Sequence, residues 1–266
     1  MVGERPTITS PSNPQIKRLA MLAASSKARH KAGETLLEGI HIVADAIACG
    51  ATLTLLVVNE DSFDNKEVSE LVRSAPSTTE LMIVSEARFR SFSIVEHGVG
   101  VAAVMAVPDK LPLPSVLSFD SLLLDGVQDP GNVGTLLRTA AAAGILDVFC
   151  SSDTASVWAP KVMRSGMGAQ FGLRLHEGVD LVALIRSATV PVRATMLNEN
   201  AQSLYSLGLQ DAQVWLFGSE GRGVRGELIE AGALPVFIPQ TDGVESLNVA
   251  AAAAVCLFEQ RRQRLA

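Results

Sequence analysis

Asp125-Gly126-Val127-Gln128-Asp129-Pro130-Gly131-Asn132-Val133-Gly134 is the stretch on which the reading of this sequence turns. It follows the apolar run Ser121-Leu122-Leu123-Leu124, bends at Pro-Gly, and enters a Leu/Thr/Ala segment that reads as a helix over 132–143. Asn132 is a natural N-cap for that helix. The same alternation continues downstream. Strands are expected at 121–125, 146–150, 171–175, 191–196, 214–217 and 235–238. Helices are expected at 132–143, 160–167, 180–188, 225–231 and 247–263. Apolar strands alternating with helices predict a parallel sheet covered on both faces. In such sheets ligands bind beyond the carboxyl ends of the strands. The segments of interest are therefore 125–132, 196–200, 218–224 and 239–247.

Upstream, Val107-Pro108-Asp109-Lys110-Leu111-Pro112-Leu113-Pro114 interrupts both helix and strand, because proline removes a donor and restricts the residue before it. This predicts a linker over 107–118, a smaller α/β domain over 1–106 and a larger one over 119–266. In the smaller domain Asn13-Pro14 opens a basic helical stretch through His30. Short strands at Leu36-Leu37, 52–58, 81–85 and 98–106 alternate with helices at 39–49 and 66–74.

The 266 residues are 48% apolar and 19% charged, which predicts a globular chain with a proper core. No apolar run approaches the ~18 residues of a membrane span. The first residues carry no apolar signal core, and Cys49, Cys150 and Cys256 lie far apart, so a cytoplasmic protein without disulfides is expected. His30, His41, His97 and His176 lack the spacing of a metal site. The net charge is −6, yet residues 1–34 carry six basic groups against Glu4 and Glu34. Lys17, Arg18, Lys27, Arg29 and Lys31 are thus candidate polyanion contacts, with a solvated helix face as the alternative.

Three segments hold the candidate chemistry. Arg138 stands about a turn and a half into an otherwise apolar helix, which suits a cleft or an anion. Phe217-Gly218-Ser219-Glu220-Gly221-Arg222-Gly223 follows a strand with glycines that allow close backbone approach to a ligand. It has the spacing of neither a P-loop nor a dinucleotide fingerprint. Ile238-Pro239 leads through Ser246-Leu247-Asn248-Val249 into an alanine-rich helix with Ser246 as its expected cap.

Together these segments resemble the SpoU (TrmH-type) RNA methyltransferases of the SPOUT superfamily. The resemblance rests on Asn132-Val133-Gly134-Thr135-Leu136-Leu137-Arg138, on Gly218-Ser219-Glu220-Gly221-Arg222-Gly223, and on Ile238-Pro239 with Ser246-Leu247-Asn248-Val249. Upstream, Thr9-Ser10-Pro11-Ser12-Asn13-Pro14-Gln15-Ile16-Lys17 and Leu36-Leu37-Glu38-Gly39 resemble the ribosomal-protein-like substrate-binding domain of many members. One departure stands out. After Ile-Pro the family usually has Met and, two residues later, Gly, whereas here Gln240 and Asp242 occupy those places, beside the cofactor site.

The resemblance implies a deep trefoil knot in the C-terminal domain, a homodimer, and methyl transfer from S-adenosylmethionine to a ribose 2′-hydroxyl, in ribosomal RNA rather than tRNA. It needs no metal and no membrane. By the same carry-over, Asn132, Arg138, Glu220, Ser246 and Asn248 form the catalytic set, and Leu197, Gly218, Ile238 and Leu247 contact the cofactor. Lys17, Arg18, Lys27, Arg29 and Lys31 become RNA contacts. Three alternatives stay open: a tRNA 2′-O-methyltransferase, a base-nitrogen methyltransferase of the same superfamily, and a catalytically silent RNA-binding or ribosome-assembly factor.

Overall fold

A computed structural model describes residues 6–197, 200–241 and 246–265. The chain divides into two compact units, residues 1–109 with 158–171 and residues 110–157 with 172–266. Among the described residues no helix is long and apolar enough to cross a membrane.

The first unit comprises α1 (Pro14–Ala24), α2 (Ser26–Ala32), β1 (Glu34–Glu38), α3 (Ile40–Ala48), β2 (Leu53–Asn59), α4 (Lys66–Ser74), β3 (Glu80–Val84), α5 (Glu86–Arg90) and β4 (Val101–Ala106). Its sheet runs β1-β4-β2-β3, with β4 antiparallel to both neighbours and β2 parallel to β3. The basic stretch expected as one helix is two. Ser25 takes an extended backbone, its N–H bonding Met21 O while its Oγ accepts from Ala28 N, so one residue ends α1 and starts α2.

This unit takes in more than residues 1–106. The segment 158–171, which includes α7 (Pro160–Gly166), packs into it. Thr35 Oγ1 donates to the Trp158 carbonyl, and fully buried Met163 joins Leu37, Val43, Ala103 and Met105 in one apolar cluster. Residues 171–175, expected as a strand, begin instead in a 3-10 turn over Ala169–Gly172. Pairing with the sheet starts only at Arg174.

The second unit comprises β5 (Ser121–Asp125), α6 (Pro130–Ala143), β6 (Asp147–Cys150), β7 (Arg174–Glu177), α8 (Leu181–Arg186), β8 (Val192–Thr195), β9 (Gln202–Ser203), β10 (Val214–Gly218), α9 (Gly226–Glu230), β11 (Leu234–Phe237) and α10 (Val249–Leu265). Its sheet runs β7-β6-β5-β10-β8-β11-β9, and every pairing is parallel. The central positions of the inner strands, Leu122, Leu123 and Leu124 of β5 and Val214, Trp215, Leu216 and Phe217 of β10, are apolar on both faces because both faces are covered. Leu123, Phe149 and Leu216 pack with Leu181, Leu184 and Leu228 of α8 and α9. Trp215, alternating with Leu216 along β10, points to the opposite face, where its indole N–H donates to Gln260 Oε1 of α10 at 2.6 Å.

That bond belongs to a clamp at the amino end of the sheet. Asp120 accepts from Gln260 at 2.8 Å, from the Gln213 amide at 2.9 Å and from Arg264 at 2.6 Å. Burial alone would raise the Asp120 carboxyl, but these bonds outweigh it and hold the group below its ordinary value. Two outcomes follow. Gln260→Leu leaves the fully buried Trp215 N–H unmet and lowers the unfolding free energy by about 2 kcal/mol in urea titrations. A carboxyl with a depressed folded-state pKa contributes stability above its unfolded value of about 4, and that stability is lost as pH falls through the folded value. The melting temperature of wild type therefore falls more steeply below pH ~4 than that of Asp120→Asn.

Candidate active site

The carboxyl ends of β5, β8, β10 and β11 converge where the strand order reverses, between β5 and β10. All four segments singled out in the sequence emerge there. The helix after β5 starts earlier than expected. Pro130 fills the first helical turn, and Asp129 is the cap, its Oδ1 accepting from Asn132 N at 2.8 Å. Asn132 is therefore not the cap, and its carboxamide is free to point elsewhere.

It joins two distant parts of the chain. Its Nδ2 donates to Glu220 Oε1 at 2.8 Å, and its Oδ1 accepts from Asn248 Nδ2 at 3.0 Å. Asn248, rather than Ser246, starts the last helix, its Oδ1 accepting from Ala250 N at 2.9 Å and Ala251 N at 3.3 Å. Because Glu220 can only accept and the helix amides can only donate, both carboxamides are held in one orientation. Burial by itself would raise the Glu220 carboxyl; the bonds from Asn132 and from the Gln128 and Asp129 amides outweigh it and hold the group below the ordinary carboxylate range.

The loop carrying Glu220 is anchored by two further ion pairs. Asp125, buried at the end of β5, accepts from Arg225 Nε at 2.7 Å and from the Arg225 amide at 3.0 Å. Asp153 accepts from Arg222 at 3.2 Å. Gly218 lies so close to the returning strand of this loop that a Cβ would stand 2.2 Å from the Gly223 carbonyl carbon. Nothing in the sequence marks Arg225 as the partner of Asp125, since the two lie a hundred positions apart.

Beside this cluster is a cavity of about 520 Å³, within the range of small-molecule sites. Leu197, Gly218, Ile238 and Leu247 line it, as do Glu220, Ser246 and Asn248. Asn132 stands behind it, one hydrogen bond from each of Glu220 and Asn248. Met196, Arg222 and Gln240 also line it. Asp242, the other departure from the family pattern, lies outside the described residues.

Arg138 is not brought to this cluster within its own chain. It is exposed on α6, six residues or about 9 Å along the axis from Asn132, and makes no hydrogen bond or ion pair with the described residues. The five basic candidates of the first unit divide. Arg18 is committed to Glu34, at 2.6 Å, and to Gln15; Arg29 is half-buried and donates to the Leu22 carbonyl at 2.8 Å. Lys17, Lys27 and Lys31 are exposed. Among the described residues no group of three or more His, Cys, Asp or Glu side chains could hold a metal ion.

Comparison with known proteins gives two family matches, the SpoU rRNA Methylase family over residues 121–258 and the MRM3-like substrate binding domain over 13–103. An uncharacterized tRNA/rRNA methyltransferase of Synechocystis is 33% identical over 98% of this chain and 95% of its own. The 23S rRNA (guanosine(2553)-2′-O)-methyltransferase of Bacillus subtilis is 29% identical over 96% of this chain and 98% of its own. An AdoMet-bound rRNA methyltransferase from Sinorhizobium meliloti superimposes with a TM-score of 0.84 at 26% identity, covering 98% of this chain and 99% of that one.

The packing at Gly218 can be tested directly. Gly218→Ala forces the Glu220 loop away from the end of β10 and costs about 1–3 kcal/mol of stability, measured by denaturant titration. Amide exchange at Ser219 and Gly223, which bond each other at 2.9 and 3.1 Å, speeds up in the variant.

Proposed function

The chain belongs to the SpoU rRNA methylase family and is an S-adenosylmethionine-dependent RNA ribose 2′-O-methyltransferase; we propose that it acts on ribosomal RNA in the cytoplasm, as a homodimer. The observation that carries the reading of the site is the chain of bonds Asn248–Asn132–Glu220 at the edge of a cofactor-sized cavity. The cavity fits the cofactor in kind as well as size: apolar side chains at Leu197, Ile238 and Leu247 suit a flat purine, and a carboxylate at Glu220 suits the positively charged sulfonium.

The cofactor supplies a methyl group bonded to a positively charged sulfur. The attacking ribose oxygen gains that methyl and gives up its proton, so the protein must align the two and hold the sugar. Asn132 and Asn248 present carboxamides of fixed orientation to the ribose. Glu220 fixes Asn132 and keeps the Gly-rich loop closed over the cavity. Ser246 adds a hydroxyl to the lining of the cavity. A guanidinium offers donors and no acceptor, so Arg138 suits a charge-assisted grip on the phosphate beside the target ribose and not proton abstraction.

The homodimer accounts for the position of Arg138. On α10, Phe258 and Leu265 are 46% and 75% exposed and fall on one face with Ala251, at seven-residue spacing. Arg138 and Thr135 are exposed on α6, the helix packed against α10. A second copy covering this face would seal the apolar stripe and bring a guanidinium to the site. The knot expected from the family resemblance is part of the same reading, as are RNA contacts from Lys17, Lys27 and Lys31.

The test is transfer of labelled methyl to unmodified RNA fractionated by size, with digestion to look for the alkali-resistant dinucleotides that 2′-O-methylation leaves. Label in ribosomal RNA is the expected result; label confined to tRNA, or none at all, refutes the substrate assignment. Arg138→Ala lowers transfer at least 100-fold while cofactor affinity stays within several-fold; equal loss of both would make Arg138 structural. Reversing Lys17, Lys27 and Lys31 to Glu weakens RNA binding and flattens its salt dependence, whereas Arg18→Ala acts on stability instead.

A further inference from the structure

Gln240 carries a group that the roles above leave unused. It lines the cavity, and its Oε1 is shielded from solvent with no donor in reach among the described residues. A buried acceptor left unmet is unfavourable, so a ligand in the cavity that brings a donor gains by meeting it.

The sheet order says which part of the ligand reaches it. Glu220 follows β10, Met196 and Leu197 follow β8, and Gln240 follows β11; the three strands are consecutive neighbours. Gln240 and Glu220 therefore flank the cavity two strand spacings apart, about 10 Å. The Asn132–Glu220–Asn248 cluster marks the end where the methyl is delivered, so the sulfur and the charged amino-acid tail of the cofactor belong there. The ribose then lies opposite the β8 loop. The purine is left at the β11 end, against Ile238 and Leu247, and its one donor there is the 6-amino group.

Building on the cofactor assignment made above, we infer that Gln240 reads the adenine ring of S-adenosylmethionine, its side-chain oxygen accepting a hydrogen bond from the 6-amino group. Gln240 is thus a specificity residue. It selects a purine with a donor at position 6.

The experiment is calorimetric titration of the full chain with S-adenosylhomocysteine and with its 6-deamino purine analogue, which lacks the donor and adds no bulk. Wild type should prefer the adenosyl ligand. Gln240→Met, close in volume, should weaken the adenosyl ligand about tenfold and leave the deamino analogue within about twofold, so that most of the preference vanishes. Gln240→Glu keeps an acceptor and should keep the preference. Equal weakening of both ligands by Gln240→Met, or no change in either, overturns the inference and leaves the cofactor site standing. A wild-type chain that binds neither ligand overturns the cofactor assignment itself, and the inference with it.

Discussion

The hydrogen bond from Asn132 to Glu220 is the contact on which the site depends, and it exists because another residue caps the helix. Asp129 meets the first free amide of α6, so the Asn132 carboxamide is released from capping and spans to the Gly-rich loop on one side and to Asn248 on the other. Asn248 performs two tasks at once: its oxygen caps α10 while its amide fixes Asn132. Three segments, with Asn132 lying 88 residues before Glu220 and 116 before Asn248, are thus locked by groups whose donor and acceptor roles admit one arrangement. A carboxamide rather than a carboxylate at 132 is what allows this, since only an amide can donate to Glu220 and accept from Asn248 together.

The sheet beneath supplies rigidity at both ends. At the carboxyl end, buried Asp125 holds Arg225 and so closes the Glu220 loop. At the amino end, Asp120 gathers Arg264, Gln260 and the Gln213 amide, fixing the last helix against Trp215. Each carboxylate is matched to an arginine with further hydrogen bonds, which is the condition under which a buried charge is tolerated. The long helix that begins beside Asn248 is thus tied down at its far end as well.

Much of this was legible in the sequence. Apolar strands alternating with helices located ten of the eleven strands among the described residues to within a few positions and placed the four candidate segments at one end of the sheet. The two-residue strand β9 was too short to show a period. Helix starts were misjudged where two capping residues compete: Asn132 and Ser246 each looked like a cap, but Asp129 and Asn248 hold the amides. Ser25 broke a helix that charge pattern alone had read as continuous. Pairings such as Asp125 with Arg225 could not be read, because nothing local distinguishes one arginine from another across a hundred residues. Charge counting likewise could not tell Arg18 and Arg29, held internally, from Lys17, Lys27 and Lys31.

The membership of residues 158–171 in the first unit has a consequence for how the chain is made. Trp158, Met163 and Phe171 belong to the apolar cluster of Leu37, Val43 and Met105, so that cluster is incomplete when residue 109 leaves the ribosome. Some sixty further residues must emerge first, a wait of about 3–12 s at ordinary synthesis rates. Over that interval the nascent unit exposes the surface that α7 later covers, while β5, α6 and β6 are already available to pair. The two units therefore mature in an interleaved order rather than one after the other, and the early one stays incomplete until about a third of the later one has been made.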